Sequence, residues 1–293
     1  KIVALLGGKT PHIQNVAVGG ITNSIGHDAP SVLNIERIML IKGFIDKLEH
    51  FVKSAYMTDV PAIGAFYLDW TGYGGGVTNY LSVPDCPQDT KGTKFDLLGG
   101  FIENGDLSSY KPITNFNDSY FRDGVAESSK HAWYEGDEPL HPFKGETEPQ
   151  YTDFQDDGQY SWVKAPTFYG KRAEVGPLAN VMVNVAAGEE RYTKYLGDAI
   201  GVIKSVAGIS EVPLSALNST IGRHAARAIR CGVMMDTLKQ QWQKLVDNIA
   251  SGDTDTFNAP EFPKGEIEGV GFHEAPRGTL SHWVVIEDAK IKN

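Results

Sequence analysis

One long stretch of the chain has the spacing of a buried helix face. Between residues 31 and 55, apolar side chains recur at intervals of three and four. They are Ile35, Ile38, Ile41, Ile45, Leu48, Val52 and Ala55. Such intervals place all of them on one side of an α-helix. The sequence "MTDVP" follows, and its turn-forming residues predict that the helix ends there.

The remaining pattern divides into a strand-rich middle and a helical second half. From 60 to 170, short apolar runs alternate with Gly, Pro, Asn and Asp, which is typical of hairpins and loops. Helical spacing returns at 176–188, at 190–208 and at 219–249, where Ser219 or Thr220 could cap the last helix. Near the end, 284–286 alternates like a strand.

The absence of repeats and of Gly/Ser linkers in the sequence favours one domain over residues 1–293. We therefore predict an α+β fold, in which a mainly helical core carries a β-rich insertion at 61–170.

Composition excludes several classes of protein. With 41% hydrophobic residues and a mean hydropathy of −0.26, the 293-residue chain can bury a sizeable core. A formal net charge of −10 argues against nucleic acid as a partner, since a basic excess would be needed to replace the counterions of the phosphates. No apolar run approaches the roughly 18 residues of a membrane span, so no transmembrane segment is predicted.

Most of the short motifs with chemical potential have a simple structural interpretation. Cys86 and Cys231 lie far apart and form no CxxC pair, so they indicate isolated thiols. The glycines at 72–76 lack a following GK[ST] and favour a turn over a phosphate-binding loop. His273 and Glu274 lack the second histidine of HExxH, which argues against a hydrolytic zinc site.

Two segments concentrate polar residues beyond what a core needs. Arg223, Arg227 and Arg230 recur at helical spacing, and this cationic face could be solvated, internally paired, or bound to a carboxylate or a partner. The segment "GVGFHEAPRGTLSHW" at 269–283 places two histidines, a glutamate, an arginine and a proline between glycines.

Taken in order along the chain, six short motifs resemble the large subunit of nickel-iron hydrogenases. They are "GGKTPHIQN", "SKHAWYEG", "YSWVKAP", "EVGPLA", "GRHAARA" and "EAPRGTLSHW". The resemblance covers essentially the whole chain and is closest to the respiratory, periplasm-facing uptake type. It implies the large-subunit fold, in part, and an oxidoreductase that cleaves or forms H2.

The resemblance also implies a cofactor, a partner and a location. The family holds a nickel-iron centre with diatomic ligands, together with magnesium, and exchanges electrons with an iron-sulfur small subunit. Its members of this type are periplasmic and associate with the membrane through partners. The family's four metal-binding cysteines lie in RxCGxC-like and DPCxxCxxH-like motifs, and neither occurs here. We therefore assign no metal ligand, and we expect a central fragment of a longer subunit, inactive alone.

Residues 275–278, here called the arch, resemble the family segment that arches over the two metals. The resemblance gives Arg277 a catalytic role and places Pro276 and Arg277 against the cofactor. Heterolytic cleavage of H2 needs an electron-poor metal and a nearby base, and a guanidinium adds a fixed cation with several donors. Taken alone, the tetrapeptide would indicate a turn with a surface arginine.

Other residues carry family roles as well. Glu174 resembles an outer carboxylate that accepts hydrogen bonds from water on magnesium, although a carboxylate before Gly-Pro also suits a helix start. His12 resembles a histidine at the small-subunit interface, or else is a loop histidine. Asn180 stands where the family pattern has arginine, while His282 and Trp283 are expected to pack and orient the arch.

A second function from another class stays open on the sequence. Relatives within respiratory complex I share ancestry with this family but have lost the metal cysteines, and they act as non-catalytic scaffold or interaction subunits. The retained "EAPRG" and "GKTPH" favour the enzyme. Serine or valine at all four cysteine positions of the full-length protein would favour the scaffold.

Overall fold

The computed structural model describes residues 1–26, 29–136, 139–144, 147–262 and 264–293. Its α-helices are α1 (Ile2–Gly7), α2 (Ile35–Phe51), α3 (Met57–Gly64), α4 (Ser119–Gly124), α5 (Pro177–Ala186), α6 (Glu190–Ala207) and α7 (Thr220–Ala250). A π-helical turn covers Val52–Tyr56, and 3-10 helices cover Ala65–Gly72, Leu107–Ser109 and Leu214–Leu217. Within the described ranges, no helix combines the length and the apolarity that a bilayer crossing requires.

The helical segment that begins with α2 starts later than the apolar pattern predicts and continues past the predicted end into α3. It begins at Ile35, because the Asn34 side chain accepts a hydrogen bond from the Arg37 amide at 3.0 Å and caps the first turn. The prediction that the helix ends after residue 55 was wrong, as were hairpins at 60–72. The chain passes through the π turn into α3, where the buried Pro61 forfeits a single backbone donor.

The strands are short until the end of the chain. They are β1 (Val16–Ala17), β2 (Gly20–Ile21), β3 (Tyr80–Ser82), β4 (Asp85–Pro87), β5 (Phe95–Leu97), β6 (Gly99–Ile102), β7 (Lys111–Ile113), β8 (Val125–Ser128), β9 (Ala165–Phe168), β10 (Glu266–Ala275), β11 (Gly278–Glu287) and β12 (Lys290–Ile291). All pair antiparallel, in the orders β1-β2, β3-β6-β7, β4-β5, β8-β9 and β10-β11-β12. The α+β class is confirmed, and the strand predicted at 284–286 is part of β11.

One compact unit is formed by residues 1–60 and 231–262. Its core lies between α2 and the second part of α7 and contains Leu33, Ile38, Ile41, Ile45, Val52 and Met235. Contrary to the predicted face, Ile35 is 67% exposed and Leu48 is 44% exposed. Two ion pairs join the same helices, from Lys53 to Asp236 at 2.9 Å and from Lys239 to Glu49 at 2.7 Å.

The other unit comprises residues 61–230 and 264–293. Its core is aromatic and aliphatic, formed by Leu81, Val83, Phe101, Ile113, Phe121, Phe168 and Phe272. Helix α5 is buried from Pro177 through Asn184, which fits its nearly continuous apolar sequence. Residues 137, 138, 145 and 146 of the predicted β-rich insertion lie outside the described residues. The boundaries predicted for a single domain with that insertion stay a prediction.

Candidate functional site

The arch is the turn of the longest hairpin in the described structure. Strands β10 and β11 pair in a register that sets Ala275 opposite Gly278, so only Pro276 and Arg277 form the connection. The sequence pattern did not predict this hairpin, because glycines and polar residues interrupt its apolar alternation. Pro276 fixes one φ angle of the connection. Gly278 allows a close approach, since a Cβ there would lie 2.5 Å from Cγ2 of Val175.

The start of helix α5 packs against the backbone of the arch. Gly176, the residue before Pro177, has φ +105° and ψ −160°, a conformation essentially restricted to glycine. A Cβ at this position would lie 2.6 Å from the backbone oxygen of Arg277. The backbone of the arch therefore rests directly on a glycine of "EVGPLA", which brings two of the sequence motifs together.

Two arginines of α7 hold the arch through its carbonyl groups. Arg230, only 7% exposed, donates from Nη2 to the Glu274 oxygen at 2.7 Å and from Nη1 to the Ala275 oxygen at 2.8 Å. Arg227 donates from Nη1 to the Pro276 oxygen at 3.2 Å. The internally paired interpretation of the cationic face is thus confirmed.

Arg223, the third arginine of that face, binds Glu174 in a two-pronged ion pair. Its Nε and Nη2 each lie 2.6 Å from a different carboxylate oxygen of Glu174. Nη2 also donates to Asn218 at 2.9 Å. The Glu174 backbone pairs with the beginning of β3, accepting from Leu81 and donating to Asn79. Such a fork fixes both the position and the plane of the carboxylate.

A buried carboxyl group lies just before the arch. Glu274 is 6% exposed, and its Oε1 accepts from the Val83 amide at 2.8 Å and from the Thr279 hydroxyl at 2.6 Å. Burial raises the pKa of Glu274, while these hydrogen bonds and the positive charge of Arg230 act in the opposite direction. Among the described residues, its Oε2 has no hydrogen-bond partner.

Arg277 differs from the arginines of α7. Its side chain is exposed and makes no hydrogen bond or ion pair within the described part of the chain. Pro276 is exposed as well. The fold therefore anchors the backbone on both sides of Arg277 and leaves its guanidinium available to bind an anion.

The other predicted site residues are placed as follows. Trp283 packs the hairpin onto the aromatic core, stacked on Phe121 with ring centroids 5.8 Å apart, whereas His282 is exposed. Asn180 is buried and donates to the Ser82 hydroxyl at 2.8 Å. His12 is exposed in the loop after α1, in the first unit.

Cys86 and Cys231 are not joined in a disulfide, which fits the predicted isolated thiols. Burial, followed by the charge of Asp85, raises the pKa of Cys86 to about 12, so this thiol is protonated at neutral pH. A cysteine that binds a metal ion must instead be deprotonated. Among the described residues, no three His, Cys, Asp or Glu side chains converge as a metal site would need.

Sequence reasoning missed the roles of Gly176, Arg230 and Glu274. Val270, Phe272 and Glu274 alternate along β10, and this period of two could have indicated that the carboxyl group faces inward. The three arginines were recognised as one face, but helical spacing does not indicate which carbonyl groups they bind.

The nickel-dependent hydrogenase family model matches residues 1–293, and the chain belongs to this family. The Hydrogenase-2 large chain of Escherichia coli K12 is 51% identical over 294 residues. The uptake hydrogenase large subunit of Bradyrhizobium diazoefficiens is 38% identical over 325 residues. Each alignment covers 100% of this chain and 52% of the relative, so the chain spans about half the length of these relatives.

Solved hydrogenase structures share the fold. A reduced, active form of the Ni-Fe-Se hydrogenase from Desulfomicrobium baculatum superimposes with a TM-score of 0.77 at 27% identity, over 99% of this chain and 54% of that one. The oxidised Ni-Fe-Se hydrogenase from Desulfovibrio vulgaris Hildenborough gives 0.76 at 29% identity, over 99% and 55%. The predicted resemblance to hydrogenase large subunits, and the partial large-subunit fold, are confirmed.

Proposed function

We propose that this chain forms the outer shell of a nickel-iron centre at which the full-length large subunit cleaves or forms H2. Electrons would be exchanged with an iron-sulfur small subunit. The observation that carries the proposal is the contrast at the arch: its backbone is bound by α5 and α7, while the Arg277 guanidinium is exposed and unpaired among the described residues.

The donor chemistry of the arch fits a nickel-iron group that bears anionic diatomic ligands. A guanidinium offers five N–H donors and a permanent positive charge, and Pro276 presents an apolar ring without an N–H. When bound, the group supplies an electron-poor metal that polarises H2. Arg277 and Pro276 would border the group without binding its metals, since the described residues of this chain contain no cluster of three His, Cys, Asp or Glu side chains that could hold a metal ion.

In this proposal, Arg277 acts by electrostatics and orientation. Its backbone is held before reaction, so a guanidinium aimed at the group from this position would need little reorganisation when charge separates in H2. With its planar fork, Arg277 would donate one N–H to an anionic ligand of the group and keep a second N–H for the charge that separates from H2. Arg277 is therefore the residue assigned to catalysis.

Glu174 is assigned to the surroundings of a magnesium ion. Its two oxygens are engaged by Arg223, but each carboxylate oxygen has a second lone pair that can accept from water on the ion. His12 is proposed to face the small subunit, which its exposure allows. A periplasmic location, with membrane attachment through partners, rests on the family resemblance and on relatives named as uptake hydrogenases.

Arg277→Lys in the full-length, metal-loaded heterodimer tests the proposal. Lysine keeps the charge but lacks the fork, so H2 turnover should fall by about 10²–10⁴-fold, the usual contribution of a positioned acid-base group, while nickel and iron stay bound. Metal content and H2 oxidation are measured on the same preparation. Arg37→Lys, in helix α2, is the matched control and should leave both unchanged.

Near-normal turnover of Arg277→Lys at full metal occupancy would contradict the catalytic assignment. Loss of metals together with turnover would instead show that Arg277 supports assembly of the centre.

A further inference from the structure

Directly before the arch, side chains bind the backbone amide and carbonyl of one residue in strand β10. In the order β10-β11-β12, the only described strand that pairs with β10 is β11, so the other edge of β10 has no strand partner among the described residues. Backbone groups that are buried on such an edge need other partners. At Glu274, the amide donates to Asp85 Oδ2 at 3.3 Å and the carbonyl accepts from Arg230 at 2.7 Å.

Arg230 reaches one residue further along the chain. The same guanidinium donates to the Ala275 carbonyl at 2.8 Å, so one buried cation binds two successive peptide groups that immediately precede Pro276. On the far side of the arch, the Arg277 carbonyl lies against Gly176. Both ends of a two-residue connection are thus fixed, and Pro276 removes one of its remaining rotations.

We propose that Arg230 is a positioning residue that acts through Arg277. It would hold the carbonyls of Glu274 and Ala275 so that the Arg277 side chain leaves the arch in one direction. The inference rests on the proposed function, because it requires Arg277 to act on the metal group.

The chemistry of the site requires arginine. A planar guanidinium can donate to two carbonyl oxygens at once, whereas a lysine ammonium on its flexible stem cannot hold both in the same geometry. A buried carbonyl that loses its donor destabilises the folded state, since no water replaces the hydrogen bond. The Ala275 peptide would then move, and a displacement of about 1 Å near a reacting group can cost on the order of 10²-fold in rate.

The test compares four variants of the full-length enzyme: Arg230→Lys, Arg277→Lys, the double variant, and Arg191→Lys as a control. Arg191 also binds a backbone carbonyl, that of Asp96 at 3.0 Å, and pairs with the Asp96 carboxylate at 3.1 Å. Like Arg230, it donates to a backbone carbonyl, but to that of Asp96 rather than to those of Glu274 and Ala275.

Arg230→Lys should lower H2 turnover by about 10–100-fold with nickel and iron retained, as changes to outer partners of a metal site usually do. Arg191→Lys should change turnover by less than about 3-fold. If Arg230 acts only through Arg277, the double variant should fall less than about 2-fold below Arg277→Lys alone. If Arg230 served general stability instead, the turnover losses of the two single variants would multiply in the double variant. That result would overturn the proposal.

Hydrogen-deuterium exchange of the arch gives a second reading that does not depend on turnover. The amide of Gly278, which lies opposite Ala275 in the hairpin, should exchange about 10-fold faster in Arg230→Lys and at the normal rate in Arg191→Lys. Unchanged exchange in Arg230→Lys would overturn the positioning role.

The two proposals fail in distinguishable ways. Normal turnover of metal-loaded Arg277→Lys overturns the catalytic assignment and with it the action of Arg230 through Arg277. Impaired Arg277→Lys together with normal Arg230→Lys overturns the inference about Arg230 alone. If Arg230→Lys does not assemble, Arg230→Gln replaces it, because its amide keeps N–H donors for one of the two carbonyls. The Gly278 amide should exchange faster than normal in this variant, and unchanged exchange would overturn the proposal.

Discussion

The arch and the loop around His12 hold their functional candidates in different ways. At the arch, carbonyls are bound by Arg227 and Arg230, and Gly176 packs against the next one. The amino-terminal loop, residues 8–15, is tied mainly at its base, where Asn15 donates to Asn23 at 2.6 Å and the Gln14 amide donates to the Gly7 carbonyl at 2.9 Å. In the arch, contacts on both sides of Arg277 hold the backbone. In the amino-terminal loop, these hydrogen bonds lie near the ends of the loop and not at His12.

This difference matches the work proposed for each residue. A group that stabilises charge in a reaction must be aimed before the reaction begins, so its backbone has to be held by rigid elements. A side chain that meets a partner protein can adjust its rotamer on binding. We therefore expect that perturbing the supports of the arch is costly and that changing His12 itself is not.

Gly176→Ala should have the largest effect. The new Cβ would meet the Arg277 carbonyl, in a backbone conformation that alanine avoids, so the free energy of unfolding should fall by about 3 kcal/mol. Because the arch must shift, H2 turnover of the full-length enzyme should drop on the order of 10²-fold. Thermal unfolding and turnover are measured together.

Gly208→Ala is the matched control for that variant. Gly208 ends helix α6 at φ +66° and ψ +29°, and a Cβ added there would meet no described atom within 4 Å. Its cost should be about 1 kcal/mol, from the left-handed conformation alone, without loss of turnover. Equal effects of the two substitutions would show that the arch does not depend on its contact with α5.

Glu274 gives a smaller and pH-dependent effect. Burial raises its pKa above 4.5, so the folded protein binds the proton more tightly than the unfolded chain. The stability contributed by the protonated carboxyl is complete below pH 4.5 and is lost as the pH rises through the folded-state pKa. Glu274→Gln imitates the neutral form, so its free energy of unfolding should improve relative to the natural protein as the pH increases from 4.5. Chemical denaturation at several pH values measures this difference.

Glu274→Ala separates charge from hydrogen bonding at the same position. It removes the charge but also leaves the Val83 amide and the Thr279 hydroxyl without their acceptor, so it should be about 1–3 kcal/mol less stable than Glu274→Gln at every pH. A difference between Glu274→Gln and the natural protein that stayed constant with pH would contradict the raised pKa.

Much of the fold followed from local pattern, and its failures have local causes. The spacing in α5, α6 and α7 predicted helices close to those observed. The end of α2 was misplaced because Pro61 normally stops a helix, and one-dimensional spacing gives no sign of the preceding π turn. The arch hairpin was missed because β10 buries a carboxyl group where an apolar residue would make the alternation visible.

The site was predictable only as a set of residues. The motifs identified Arg277, Pro276 and Glu174, and the structure connects them through Gly176 and the arginine face of α7. That connection depends on contacts between residues far apart in the sequence. Arg230 and Glu274 are 44 positions apart, Arg223 and Glu174 are 49 apart, and Gly176 meets the carbonyl of the distant Arg277. A short motif cannot encode such contacts, so the supports of the arch required the three-dimensional structure.

His12→Gln should have the smallest effect on stability and marks the other end of the comparison. The side chain is exposed, so the free energy of unfolding should change by less than about 0.5 kcal/mol. If His12 faces the small subunit, H2 oxidation with an electron acceptor should fall a few-fold, within the roughly 1 kcal/mol typical of a contact outside an interface hot spot. Isotope exchange between D2 and water, which needs no electron transfer to the partner, should stay normal.

His50→Gln is the control, because His50 is another exposed histidine of the first unit, and it should leave both activities unchanged. Equal loss of both activities in His12→Gln would tie the amino-terminal loop to the metal centre itself, and no loss would leave His12 as an ordinary loop histidine.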